Sequence, residues 1–169
     1  MAAISLGNNL WFRFASAIIF MIFVTGGFAT MNANAFERDA KGPDGFHAIF
    51  WAIKSLDQWA VERYLDAGVS IEVKGYAGST PALLAASIDA WDICLFLAQR
   101  GANMKVASKT GMTIPWRVHS SRVTRSTDVG RSLEAVEQIL REKGLMDNLL
   151  DPRVVKDLVK AGKWPPGNW

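Results

Sequence analysis

Apolar residues along this 169-residue chain fall into one continuous run and then into short, spaced groups. The run is Phe14 to Val24, FASAIIFMIFV, eleven residues broken only by Ser16. Beyond residue 45 the spacing becomes helical. Ile93, Cys94 and Leu97 recur at helical intervals and are expected to face inward. Val154, Val155, Leu158 and Val159 line one face of a later segment, with Lys156, Asp157 and Lys160 mostly on the other. Glycines punctuate these groups at a fixed interval. Gly45, Gly78 and Gly111 are 33 residues apart, and so are Gly68 and Gly101. Such a period predicts stacked repeats, each needing its neighbours to bury an apolar face.

Local signals agree with the period. Thr80-Pro81 starts a helix well, because Thr accepts from a free amide of the first turn and Pro suits the first helical position. Ala85-Ala86 are small enough for a neighbouring helix to approach. Gly101 follows the last apolar turn, where a left-handed residue closes a helix. The comb slips once: Gly101 to Gly144 is 43 residues, an insertion of ten expected to lie mostly between Val118 and Leu133. Asp151-Pro152 predicts a final helix ending at Gly162, followed by an extended tail with Trp164, Pro165-Pro166 and Trp169.

The middle unit, GSTPALLAASIDAWDICLFLAQRGAN from Gly78 to Asn103, resembles the ankyrin repeat. Gly78, Thr80, Pro81, Ala85, Ala86, Leu97, Gly101 and Ala102 fall on family positions without a gap. Asn103 stands where the family usually has Asp, Leu83 replaces its His, and Asp89 replaces the Gly between its two helices. The preceding unit keeps Gly45, Ala52, Val61, Tyr64, Leu65 and Gly68, with His47-Ala48 in place of Thr-Pro. The following unit opens with GMTIPWRV from Gly111, its proline displaced by one place. The resemblance covers roughly residues 45–145. It implies an all-α fold: an ankyrin-like helical repeat stack of about three repeats (45–77, 78–110 and 111–146) within a domain spanning 36–146. Residues 147–169 then supply a capping helix and extended tail, since end repeats need a polar outer face.

The first 35 residues are of another kind. They hold no acid and one internal base, Arg13, and Ala33-Asn34-Ala35 fits the small-x-small rule for cleavage after Ala35. This reads as a signal peptide that delivers the mature chain to the periplasm or outside the cell. The alternative is an uncleaved membrane anchor, since Leu10 to Ala29 is about long enough to span a bilayer. Removing the segment leaves a mature charge close to neutral, which does not favour a nucleic-acid partner.

Candidate chemistry is sparse. Cys94 is the single cysteine and has no intramolecular partner; a small buried apolar role is expected. His47 lies at a helix start, suited to capping or packing rather than catalysis, and His119 opens the insertion. No metal-binding or phosphate-binding motif is present. The expected role is therefore a protein-binding module with no catalytic set, cofactor or metal, acting on a periplasmic protein partner as an inhibitor, an immunity-type protein or an accessory factor. The alternative is a membrane-anchored accessory subunit of an envelope complex.

The resemblance implies binding through hairpin tips and the exposed side of the first helices. Carried over by position, the partner-binding residues are Phe46 and Lys54 in the first repeat, Tyr76, Ser79 and Ile88 in the second, and Lys109 and Met112 in the third. Asp44 also falls on a tip. Trp51, Trp59, Trp91 and Trp116 are expected to be mostly core or partly buried, with Trp51 close to the binding face. The insertion adds Arg117, Arg122, Arg125 and Arg131 against one acid, Asp128, in a loop-like stretch. It is either a solvated loop or a contact arm for an acidic partner or anionic lipid, with Arg117, Arg122 and Arg125 as candidates.

Overall fold

The helix starts recur because the residues that satisfy their first amides recur. The computed structural model describes residues 36–167. Thr80 Oγ1 accepts from the amide of Leu83 at 3.3 Å, and Thr113 Oγ1 from that of Trp116 at 3.2 Å. Each closes the free end of a helix with Pro in its first turn: α3, Pro81–Ser87, and α5, Ile114–Ser120. One period earlier α1, Ala48–Lys54, begins after His47, whose side chain makes no capping bond. Each of these helices leads to a second: α2, Gln58–Asp66; α4, Trp91–Gln99; and α6, Asp128–Glu142. With α7, Pro152–Lys160, the described residues form an all-α fold of seven helices and no extended strand. None of these helices is long and apolar enough to cross a membrane. The expected signal peptide or anchor, residues 1–35, and Trp169 lie outside the described residues.

Backbone hydrogen bonds outside the helices repeat as well, at the tips every 33 residues. Before each first helix the chain makes a hairpin tip: Gly42 donates to the Phe46 carbonyl at 2.8 Å, Gly75 to Ser79 at 2.9 Å and Ser108 to Met112 at 2.9 Å. After each second helix one turn-closing bond recurs, from Val69 to Tyr64, Ala102 to Leu97 and Leu145 to Leu140. The last pair reproduces at Gly144 what the chain does at Gly101. Between the paired helices, Leu56 and Asp89 take positive φ, 57° each, the conformation glycine favours.

The core lies between two layers. α1, α3 and α5 pack side by side, α4 packs on α3, and α6 packs on α4 and α5. Ile49, Ile53, Leu83, Trp91, Ile93, Leu97, Ile114, Leu133 and Leu140 are fully buried there. Ala85 and Ala86 are fully buried in α3, which is flanked by α1 and α5. Cys94 is buried, and desolvation pushes its thiol up to about 12. It fills space as a small apolar side chain.

The insertion is divided between loop and helix. Seven residues, 121–127, separate α5 from α6, where three separate α3 from α4; α6 has 15 residues against 9 in α4. The division starts at Ser121, which leaves α5 in extended conformation (φ −66°, ψ 139°) instead of closing it with a left-handed residue. The stretch 117–131 is thus not one loop: Arg117 lies on α5 and Arg131 on α6. Gly130, in the first turn of α6, lets the loop fold back, since a Cβ there would stand 2.1 Å from the Thr124 carbonyl oxygen.

α7 packs on the third hairpin tip. A Cβ on Gly111 would meet the carbonyl oxygen of Pro152 at 1.8 Å and the amide of Lys156 at 2.8 Å. Val155 is fully buried and Leu158 and Val159 are half-buried, whereas Val154, expected on the same face, is exposed. In the tail Trp164 returns to the repeats, its indole donating to the Lys105 carbonyl at 2.9 Å. At the other end Phe36 sets its ring edge-on to Trp59 (5.3 Å between centroids) and Tyr64 (4.9 Å), covering part of α2.

Candidate partner-binding surface

Hairpin tips and first helices meet in one cleft, and four of the ten sequence candidates line it. Phe46, Lys54, Tyr76 and Ser79, with Asp44, Phe50 and Leu84, enclose about 70 Å³. The period explains the gathering: Phe46 and Ser79 are equivalent tip positions one repeat apart, so stacking sets them side by side. Phe46 and Tyr76 stand edge to face at 6.5 Å and 86°. Phe46 also rests against the core, while Tyr76 is 78% exposed on a short turn, Tyr76–Gly78. Gly75 lets this turn close over the ring of Phe50, since a Cβ would stand 2.8 Å from it.

One rim is ionic. Lys54 Nζ lies 2.5 Å from Asp44 Oδ2 and 5.9 Å from the centroid of the Trp51 ring. The Lys54 hydrogen bond holds the Asp44 carboxyl below its usual range, and the other oxygen of Asp44 accepts from the Phe46 amide at 3.1 Å. A small apolar hollow with an aromatic wall and an ion pair at its edge suits an apolar side chain from a protein partner. Aromatic residues are enriched at the centres of such contacts.

The remaining candidates go elsewhere. Ile88 is exposed just beyond the end of α3, away from the cleft. Met112 is half-buried and packs against the core rather than standing free, because the third tip is covered on its far side by α7. Lys109 joins the tips: its amide donates to the Ala77 carbonyl at 2.8 Å, and its ammonium is exposed beside α7.

The arginines of the insertion are mostly engaged within the fold. The Arg117 guanidinium donates to the carbonyls of Ala86 (3.3 Å) and Ser87 (3.1 Å) and lies 3.8 Å from Asp89. It closes the end of α3, where carbonyls lack helical partners, so the guanidinium is engaged by the fold. Asp89 also accepts from the Trp91 indole at 3.0 Å and the Ser121 hydroxyl at 2.9 Å, tying the second repeat to the third. Arg125 pairs with Glu137 of α6 at 3.1 Å, and Arg131 pairs with Asp128. Arg122 alone of the four is exposed with no pairing among the described residues. Most of the basic charge expected of a contact arm is thus held by the fold.

The tryptophans divide as well. Trp91 is fully buried and Trp116 half-buried, but Trp51 (47% exposed) and Trp59 (58%) are surface residues. Trp51 stands beside Lys54 at the rim of the cleft. Trp59 lies in the first turn of α2, with the Phe36 ring edge-on to it. Sequence reasoning missed Phe50 and Leu84 as cleft walls; both sit at helical positions that could equally face the core.

The histidines offer little chemistry. His47 Nδ1 is buried with no hydrogen-bond partner, and desolvation, reinforced by Lys41, lowers its pKa. His119 is exposed beside Trp116, 5.8 Å between ring centroids. Among the described residues no three His, Cys, Asp or Glu side chains converge to hold a metal ion. No protein-family model matches the chain, and no curated protein matches it in sequence.

Proposed function

We propose that this protein is an exported ankyrin-type repeat module. It holds a protein partner in the periplasm, as an inhibitor or as an accessory factor, and does no chemistry of its own. The ankyrin-type reading is supported by the residues of the middle repeat, by the hairpin bonds that recur every 33 residues and by the turn bond that closes each second helix. The binding reading is carried by one observation: the cleft of Phe46 and Tyr76, with the Tyr76 side chain exposed at its edge. An exposed tyrosine beside a preformed apolar hollow loses little conformational freedom on binding and is a common energetic centre of protein interfaces.

The test places a photoreactive amino acid at position 76 in cells, with position 138 on α6 as the comparison. A saturable crosslinked species at 76 and none at 138 is the expected result. Tyr76→Ala then weakens binding of the isolated partner by about 2 kcal/mol, roughly thirtyfold, with unchanged thermal stability. Equal crosslinking at both positions would reject the cleft as the binding site. N-terminal sequencing of the mature chain tests export: Phe36 at the terminus supports release, Met1 or Ala2 the anchor.

A further inference from the structure

The row of hairpin tips continues past the aromatic cleft onto the C-terminal helix. Lys109 follows Tyr76 by one period, and its backbone bond to Ala77 joins the second tip to the third. Beside it, Lys156 and Lys160 stand four residues apart on α7. The three lysines and Val159 line a second cleft of about 320 Å³. Like charges at that helical spacing weaken a helix, yet no acidic side chain among the described residues pairs with them. Other bases of the described residues, Arg122 and Arg153 among them, also lack an ion pair, but these three share one cleft. The carbonyl end of α7 favours a cation at Lys160, but it accounts for neither Lys109 nor Lys156.

We propose that Lys109, Lys156, Lys160 and Val159 form a carboxylate-binding cleft for an acidic segment of the protein partner, extending the aromatic cleft along the tips. This rests on the reading that the tips bind protein. Lysine stems make apolar walls while their heads reach the rim, so the cleft takes the methylenes of a glutamate and meets its carboxylate with ammonium groups. Charge complementarity selects the occupant: three converging, uncompensated cations call for an anionic group. A membrane surface fits less well. Segments that hold anionic lipid present clusters of four to eight basic residues, and here three line a concavity.

The experiment titrates the full chain with a fluorescent peptide carrying four glutamates around one phenylalanine, followed by anisotropy. The expected result is saturable binding that weakens as salt rises toward roughly 1 M and that is lost when glutamines replace the glutamates. Reversing charge in Lys109→Glu/Lys156→Glu lowers affinity at least about tenfold, with a smaller loss for the glutamine versions. Lys143→Glu, away from the cleft, leaves it unchanged. Circular dichroism checks that each variant is folded. If Tyr76→Ala weakens binding and the lysine reversals do not, the lysine cleft is overturned while the tips remain the binding row. If neither matters, both readings fall. Lysine-dependent binding to phosphatidylserine-containing vesicles without peptide binding also overturns the proposal, in favour of lipid.

Discussion

Substituting Gly111 separates the docking of α7 from the backbone strain of the repeat. Gly45 and Gly111 occupy equivalent tip positions with nearly equal φ, +76° and +85°. An alanine at either pays the left-handed penalty, about 1–2 kcal/mol. At Gly45 nothing lies within 4 Å of the added methyl group. At Gly111 the methyl would stand 1.8 Å from a backbone oxygen of α7, which has no flexible end to swing aside. The helix must move away, exposing the fully buried Val155 at about 1.5–3 kcal/mol. Gly111→Ala should therefore destabilise the chain by about 4 kcal/mol and Gly45→Ala by less than half of that. Urea unfolding followed by far-ultraviolet circular dichroism measures both. In a chain truncated after residue 150 the two substitutions should cost the same, since the extra term requires α7 as partner. Equal costs in the full chain would refute the inference that α7 is seated on the third tip.

Other expectations follow from single side chains. His47→Thr should add about 1 kcal/mol by restoring the cap that Thr80 and Thr113 provide and by removing a buried nitrogen without a partner. It should also flatten part of the pH dependence. Because the folded pKa of His47 lies below 6.5, protons favour the unfolded chain; its contribution is complete above about 6.5 and falls as pH drops through 6.5 toward the folded value. Thermal melts across that window detect the difference, and an unchanged profile would contradict it. Arg117→Leu should cost about 1.5–3 kcal/mol through the Ser87 carbonyl it leaves unsatisfied, whereas Arg122→Glu should stay within about 0.5 kcal/mol; chemical denaturation ranks the two. The Cys94 thiol should resist disulfide reagents at pH 8 and react only as fast as the chain opens, because burial holds its pKa near 12.

What was legible in the sequence acts over a few residues. The caps at Thr80 and Thr113, the glycines that close second helices and the proline after Asp151 shape the chain through bonds between near neighbours, so helices begin and end close to where those residues stand. The 43-residue interval likewise announced an insertion, because Gly144 needs the same left-handed turn as Gly101. Its division between loop and helix was not legible, since DVGRSL can continue a helix only once Gly130 allows the loop to press against it. The destinations of long side chains were hidden for the same reason. Arg117 and Arg122 look alike in a basic stretch, but only Arg117 lies beside the carbonyls of a helix 30 residues earlier. Lys156 and Lys160 read as the polar back of a cap until α7 is laid against the third tip with Lys109 beside them. Local chemistry determined the elements; packing across repeats decided which charges the fold pairs and which it leaves exposed.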